Sequence, residues 1–241
     1  MNSFIEKLDW DSNFFNIKIC RINDVISNSN ELTEALKKIK KLDIDLAYYS
    51  SPIPLIKFQN FSLLYNINLV NKKVTYSKKI IGNVSFAESV TEFKSDYPTD
   101  KLIELAIESG RYSRFNIDKK IPRSKFEELY KEWIINSVNK KLAKEVFIYQ
   151  ENEIIAGFVT LGEKKSRAEI GIIAVDNNYR GKGIGKSLMF AAENWFAGKK
   201  YNEIRVVTQG DNLPACRLYE SCGYKTDNVE YFYHLWKKDK V

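Results

Sequence analysis

Residues 177–188, NNYRGKGIGKSL, set Gly181, Gly183 and Gly185 among Arg180, Lys182 and Lys186. Glycines let backbone N–H groups approach an anion with no Cβ in the way, and the basic side chains add charge. That is the chemistry of a phosphate-binding turn, and spacing decides which phosphate it suits. A Walker A loop needs a glycine where Arg180 stands, so the triphosphate template fails. The dinucleotide fingerprint needs Gly-x-Gly-x-x-Gly in a first βα unit; here the glycines run Gly-x-Gly-x-Gly, late in the chain. Arg180, Gly183 and Gly185 satisfy a third template, Arg/Gln-x-x-Gly-x-Gly/Ala. Set between a strand and a helix, it turns the free N–H groups of a helix N-terminus toward a pyrophosphate. Taken alone, the loop also reads as a solvated, glycine-rich βα turn.

The flanking segments must supply that strand and that helix. AEIGIIAV (168–175) is almost continuously apolar and reads as a strand buried on both faces. Beyond the loop, Ile184, Leu188, Ala192, Trp195 and Phe196 recur at helical spacing. EIRVVTQ (203–209) is a second buried strand. Asn212 and Pro214 mark a helix start, and Gly223 marks its stop. Upstream, EVFIYQ and IIAGFVTLG flank ENE as an antiparallel hairpin. A helix over 125–138 puts Phe126, Leu129, Tyr130, Trp133, Ile134 and Val138 on one face. The N-terminal part reads as a strand over 14–22, an amphipathic helix over 31–43, a strand over 44–50 and a hairpin-like pair over 63–80. The chain ends in one or two strands. Two units follow: a small α/β unit at 1–85 and a larger α/β (α+β) unit at 86–241.

Bulk properties exclude other classes. The net charge of +7 favours anionic ligands, but the lysines are scattered, which argues against nucleic acid. No apolar run approaches the roughly 18 residues of a membrane span, and the N-terminus lacks a signal-peptide pattern. A cytoplasmic protein is expected. The odd set Cys20, Cys216 and Cys222 suggests reduced thiols. With no Cys-x-x-Cys and the single histidine His234, no metal is expected. His234 is expected within a final strand rather than in a catalytic triad.

A second motif joins the loop. Asn212, Ala215, Tyr219, Gly223 and Tyr224 stand at the spacing N-x-x-A-x-x-x-Y-x-x-x-G-F/Y. Both motifs, in this order and separated by one helix and one strand, resemble the GNAT superfamily of N-acetyltransferases over about residues 86–241. The resemblance implies acetyl-CoA as acyl donor and an amine as acceptor. It also implies a mixed central sheet that splays between two parallel strands, here 168–175 and 203–209. The amides of Arg180, Gly181, Lys182, Gly183, Ile184 and Gly185, with Lys186 beside them, would hold the CoA pyrophosphate. Ile173, Ala174 and Val175 would pair with the pantetheine arm, and the N–H of Ile173 or Ala174 would polarise the thioester carbonyl. Asn212 would touch the CoA arm. Tyr219 would protonate the departing thiolate as general acid, against the bland alternative of a core aromatic. Glu169 is the candidate base for the amine.

The acceptor is suggested by the N-terminal half. LDWDSNFFNIKICRI (8–22) resembles the opening of the dTDP-fucosamine acetyltransferases and related dTDP-4-amino-4,6-dideoxyhexose acyltransferases. Asn16 replaces their usual glycine, a change compatible with a turn. SGRYSRF (109–115) is also similar. That resemblance implies a dTDP-amino sugar acetylated at C4 for surface polysaccharide synthesis, and a homodimer. Arg111 and Arg114 could meet the sugar-nucleotide diphosphate, or could be ordinary surface arginines. NINLVNKKVTY (66–76) echoes GYKTDNVEYFY (223–233), so the first unit could be a partial copy of the second. A protein N-terminal or small-amine acetyltransferase, and a non-catalytic acyl-CoA-binding regulator, stay open as alternatives.

Overall fold

The computed structural model describes residues 4–23, 26, 28–55, 64–80 and 89–238. The chain forms two compact units: Met1–Lys73 with Val229–Val241, and Val74–Asn228. The expected boundary near 85 lies outside the described residues.

The first unit contains β1 (Ile5–Lys7), α1 (Asp9–Phe15), β2 (Ile19–Ile22), α2 (Ser29–Lys41) and β3 (Leu46–Ser51). It shares β4 (Tyr65–Lys79) and the terminal strand with the second unit. The expected strand over 14–22 is half helix. The Ser12 hydroxyl donates to the Leu8 carbonyl (2.7 Å) and accepts from the Ile19 amide (2.9 Å), tying the helix start to β2. Asn16 ends α1 in the left-handed conformation (φ 55°). Helix α2 begins at Asn28, whose side chain accepts from the amides of Asn30 and Glu31. Leu32, Leu36 and Ile39 recur at helical spacing and are buried against β3 residues such as Ala47 and Tyr49. The expected hairpin over 63–80 is one fifteen-residue strand, β4. Its centre, Asn71-Lys72-Lys73, lacks the Asn-Gly or Asp-Gly pair that a tight reversal needs.

The second unit continues with β5 (Val90–Glu92), α3 (Asp100–Ser109), α4 (Arg114–Ile117), α5 (Arg123–Val138), β6 (Glu145–Glu151), β7 (Ile154–Lys164) and β8 (Arg167–Val175). Then come α6 (Ile184–Gly198), β9 (Glu203–Gln209), α7 (Leu213–Ser221) and β10 (Lys225–Lys237), of which the last part returns to the first unit. Strand order in this unit is β4-β9-β8-β7-β6-β5, antiparallel from β5 to β8 and parallel between β8 and β9. Two-residue turns at Asn152-Glu153 and Lys165-Ser166, all four at positive φ, close the hairpins β6–β7 and β7–β8. Leu102, Leu105 and Ala106 of α3 and Ile134 and Val138 of α5 pack with Val146, Ile148 and Phe158 as one core cluster. Among the described residues no helix is long and apolar enough to cross a membrane.

Candidate active site

Strands β8 and β9 part company midway. They pair at Ala168↔Ile204, Glu169↔Arg205 and Ile170↔Val206; β8 then runs on to Val175 and β9 to Gln209 outside that register. A bulge marks the parting: Gly171 and Ile172 of β8 stand opposite Thr160 of β7 alone. The Ile172 amide leaves the ladder and donates to Thr160 Oγ1 at 2.8 Å. A Cβ on residue 171 would sit 2.8 Å from that same oxygen, which explains the glycine. The strand expected to be buried on both faces is therefore fully buried only at Ala168 and Ile170; residues 172–175 are half-buried. Their apolar side chains border an opening rather than a closed core.

The ladder also orients the amides. Asp176 N–H donates to the Ala156 carbonyl at 2.8 Å. Hydrogen-bonded pairs alternate in an antiparallel ladder, so Ala174 opposite Phe158 is the next such pair. Ile173 and Val175 then direct their N–H and C=O groups away from β7. Consistent with this, the Val175 carbonyl accepts from Arg180 Nε at 3.1 Å. Of the two candidate amides, that of Ile173 faces the gap.

Beside the gap lies a cavity of about 560 Å³. Ile173, Ala174 and Val175 line it from β8, and Arg180, Gly181, Gly183, Ile184, Gly185 and Lys186 from the loop and the start of α6. Asn212, Ala215 and Leu218 line it from α7, and Glu108, Ser109, Arg111 and Tyr112 from α3 and the turn behind it. Gly181 and Gly183 both have φ +83°, a left-handed conformation that a side chain would strain. Gly183 is also the N-cap of α6 and offers no side-chain acceptor, so no side chain caps the first-turn N–H groups at the cavity wall. They and the helix dipole favour an anion there.

The remaining expected residues sit as follows. Lys182 points to Glu151 (3.3 Å) and the Tyr179 ring (4.8 Å) rather than lining the cavity. The Asn212 side chain accepts from Ala215 N–H at 3.3 Å and caps α7. Tyr219 lies one helical turn beyond Ala215 on the same face, buried against the rings of Tyr76 (5.6 Å) and Tyr224 (6.4 Å). Burial pushes its phenol well above the usual range, with the neighbouring thiols of Cys216 and Cys222 adding to the effect. Glu169 stands in the closed part of the sheet, opposite Arg205 and Gly162, with Lys164 3.9 Å away. It stands four positions before Ile173, or about 13 Å of strand. Arg111 lines the cavity, whereas Arg114 stacks on Phe115 at 4.3 Å and does not. In the first unit, His234 is buried and stacked on Tyr48 at 4.9 Å.

Sequence reasoning named Arg111 in the turn after α3 but missed the wall supplied by α3 itself. The signal was present: Thr99 is a capping residue that accepts from Leu102 N–H (3.2 Å), and Leu102, Leu105 and Ala106 follow at helical spacing. Thr160 carries no such mark, because its role depends on a bulge in the partner strand.

A loop N-terminal to a helix, a half-open parallel pair and a cavity between them set the context for likenesses to other proteins. The model of the Acetyltransferase (GNAT) family matches residues 102–224, more than half of the chain. The dTDP-fucosamine acetyltransferase of Escherichia coli is 27% identical over 232 residues, 95% of this chain and 96% of that protein. The spore coat polysaccharide biosynthesis protein SpsD of Bacillus subtilis is 28% identical over 138 residues; the match covers 57% of this chain and 47% of that protein. The chain thus spans about half the length of that relative. Among solved structures, a functionally unknown conserved protein from Staphylococcus epidermidis superimposes with a TM-score of 0.65 at 14% identity, over 99% of this chain and 93% of the other. A GNAT-family structure from Novosphingobium aromaticivorans gives 0.59 at 12% identity, over 99% and 91%. The splayed mixed sheet, the two spaced motifs and the family match lead to one conclusion: this chain belongs to the GNAT family of acetyltransferases.

Proposed function

We propose that the protein transfers the acetyl group of acetyl-CoA to the amino group, at C4, of a dTDP-linked amino-dideoxy sugar. The observation that carries the acceptor is the reach of one likeness. Similarity to the dTDP-fucosamine acetyltransferase extends over 95% of the chain, well past the family region at 102–224. A generic small-amine acetyltransferase needs no likeness in the N-terminal part. The name of SpsD, a polysaccharide biosynthesis protein, supports the same direction.

The cavity chemistry suits the donor. The uncapped first turn of α6 and the loop amides from 180 to 185, with Lys186 beside them, would hold the pyrophosphate. The free edge at Ile173 and Val175 would take the pantetheine amides as an added strand does. The Ile173 N–H would meet the thioester carbonyl, and Asn212 the arm near the sulfur. The acceptor nitrogen attacks the carbonyl carbon, the carbon–sulfur bond breaks, and the thiolate takes a proton from Tyr219. The proton lost by the amine leaves to water; Glu169, about 13 Å of strand from Ile173 in the closed part of the sheet, stands beyond its direct reach. Arg111, which lines the cavity, would meet the acceptor diphosphate, whereas Arg114 stays on the Phe115 ring.

The test supplies acetyl-CoA with a panel of dTDP-3-amino and dTDP-4-amino sugars, free amino sugars and small amines, and follows thiol release. The 4-amino sugar nucleotides should turn over fastest. Turnover with small amines alone would reject the acceptor assignment and leave the family assignment intact.

A further inference from the structure

The loop that would hold the donor is tied to α3 at two points. Lys101 and Glu108 are seven residues apart on α3, so they leave the same face two turns and about 10 Å apart. Lys101 pairs with Asp176 at the end of β8, and Glu108 pairs with Arg180 at 3.0 Å. Asp176 and Arg180 bracket the 3-10 turn Asn177–Tyr179 that opens the loop. The charges are crossed: cation then anion on the helix, anion then cation on the loop.

Each partner is further committed. Asp176 is buried, and its carboxylate also accepts from the Asn178 amide at 2.8 Å. Lys101 also reaches Glu104 on its own helix at 3.0 Å. The Arg180 guanidinium donates through Nη2 to Glu108 and through Nε to the Val175 carbonyl at 3.1 Å. The cation that the motif offers to a phosphate is thus held by a helix carboxylate and a strand carbonyl. The same helix leads directly into Ser109, Arg111 and Tyr112, which form another wall of the cavity.

We propose that Lys101–Asp176 and Glu108–Arg180 form a two-point clamp that presets the donor loop against α3. Lys101, Asp176 and Glu108 are then positioning residues for acetyl-CoA, and Arg180 acts by shaping the loop rather than as a direct phosphate ligand. This rests on the donor-site reading above but not on the identity of the acceptor.

The two roles of Arg180 differ in sign. If Arg180 binds phosphate directly, Glu108 competes with the ligand, and Glu108→Gln should tighten binding. If the clamp operates, Glu108→Gln should weaken it. Coenzyme A affinity of the intact chain, measured by calorimetry, should fall about tenfold in Glu108→Gln and further in Lys101→Met. The double reversal Glu108→Arg with Arg180→Glu should recover most of the loss, although it places an acid in the loop. Melting temperature reports the fold separately; if Lys101→Met does not fold, the half-exposed Glu108–Arg180 pair still decides. Unchanged or tighter binding in Glu108→Gln, or a double variant worse than either single one, overturns the clamp. No binding of coenzyme A by the unaltered protein overturns the donor-site reading and the clamp together, whereas failure of every amino-sugar acceptor touches neither.

Discussion

Tyr219 shows how far spacing carries at the scale of a residue. The interval from Asn212 through Ala215 to Tyr219 is legible in one dimension, and helix geometry gives each position its place: a cap, a cavity wall, and a ring one turn deeper. The ring's neighbour Tyr76 is not legible. It comes from a strand far earlier in the chain and bonds through its hydroxyl to Glu220 at 3.0 Å. Burial gives Tyr219 a raised pKa, which keeps it protonated across the working pH range while making it a weaker acid. Tyr219→Phe should therefore lower kcat by about 100-fold or more while coenzyme A still binds. A raised pKa means the acid form is lost only above the ordinary phenol value of about 10. The kcat profile should then show no falling limb from this residue below that pH. Near-normal turnover in Tyr219→Phe, or an alkaline limb centred near pH 8 that this variant abolishes, would remove the role. Glu169→Gln should leave the pH–rate profile unchanged, given its distance from Ile173; loss of an acid limb in that variant would make Glu169 the base after all.

At the scale of an element, the informative unit is β8. Its apolar run was readable as a strand, and both helix and strand that follow the loop fall where periodicity puts them. The reading of double-sided burial failed because hydrophobicity does not distinguish a closed core from the wall of an apolar channel. The bulge at Gly171–Ile172 was silent for a related reason: it exists only in pairing with Thr160. The alternation of the ladder makes a sharp contrast between neighbours. Proline at 173 removes an N–H that faces the gap, so the sheet keeps its bonds; proline at 174 removes a ladder bond to β7. Ile173→Pro should retain a cooperative melt and lose about 100-fold or more in kcat, the usual cost of losing one carbonyl-polarising donor. Ala174→Pro should instead lower the melting temperature markedly. Equal stability loss in both variants would contradict the assigned amide directions.

At the scale of the whole molecule, compact units and chain order do not coincide. The second compact unit begins at Val74 and so includes the last part of β4. That part carries Tyr76 and also Lys78, whose ammonium contacts both oxygens of the buried Glu193 carboxylate at 2.9 and 2.8 Å. Composition marks a polar stretch at 80–100 as a connection, but it cannot show that the strand before it belongs to the later unit. A fragment of residues 86–241 should therefore fail to melt cooperatively, because β9 loses its neighbour β4 and Glu193 is left without a counter-ion. In the full chain, Lys78→Met should cost about 3 kcal/mol for the same unpaired carboxylate, read by denaturant unfolding. A fragment as stable as the second unit of the full chain would contradict this. The likeness that reaches across nearly the whole chain is also what directs the functional reading to a sugar nucleotide. The most direct measurement of that reading is the stoichiometry of the reaction with acetyl-CoA and a dTDP-4-amino-4,6-dideoxyhexose. One N-acetylated sugar nucleotide formed for each free thiol released is the predicted result; thiol release without N-acetylation of the sugar, or none above the rate in water, would contradict it.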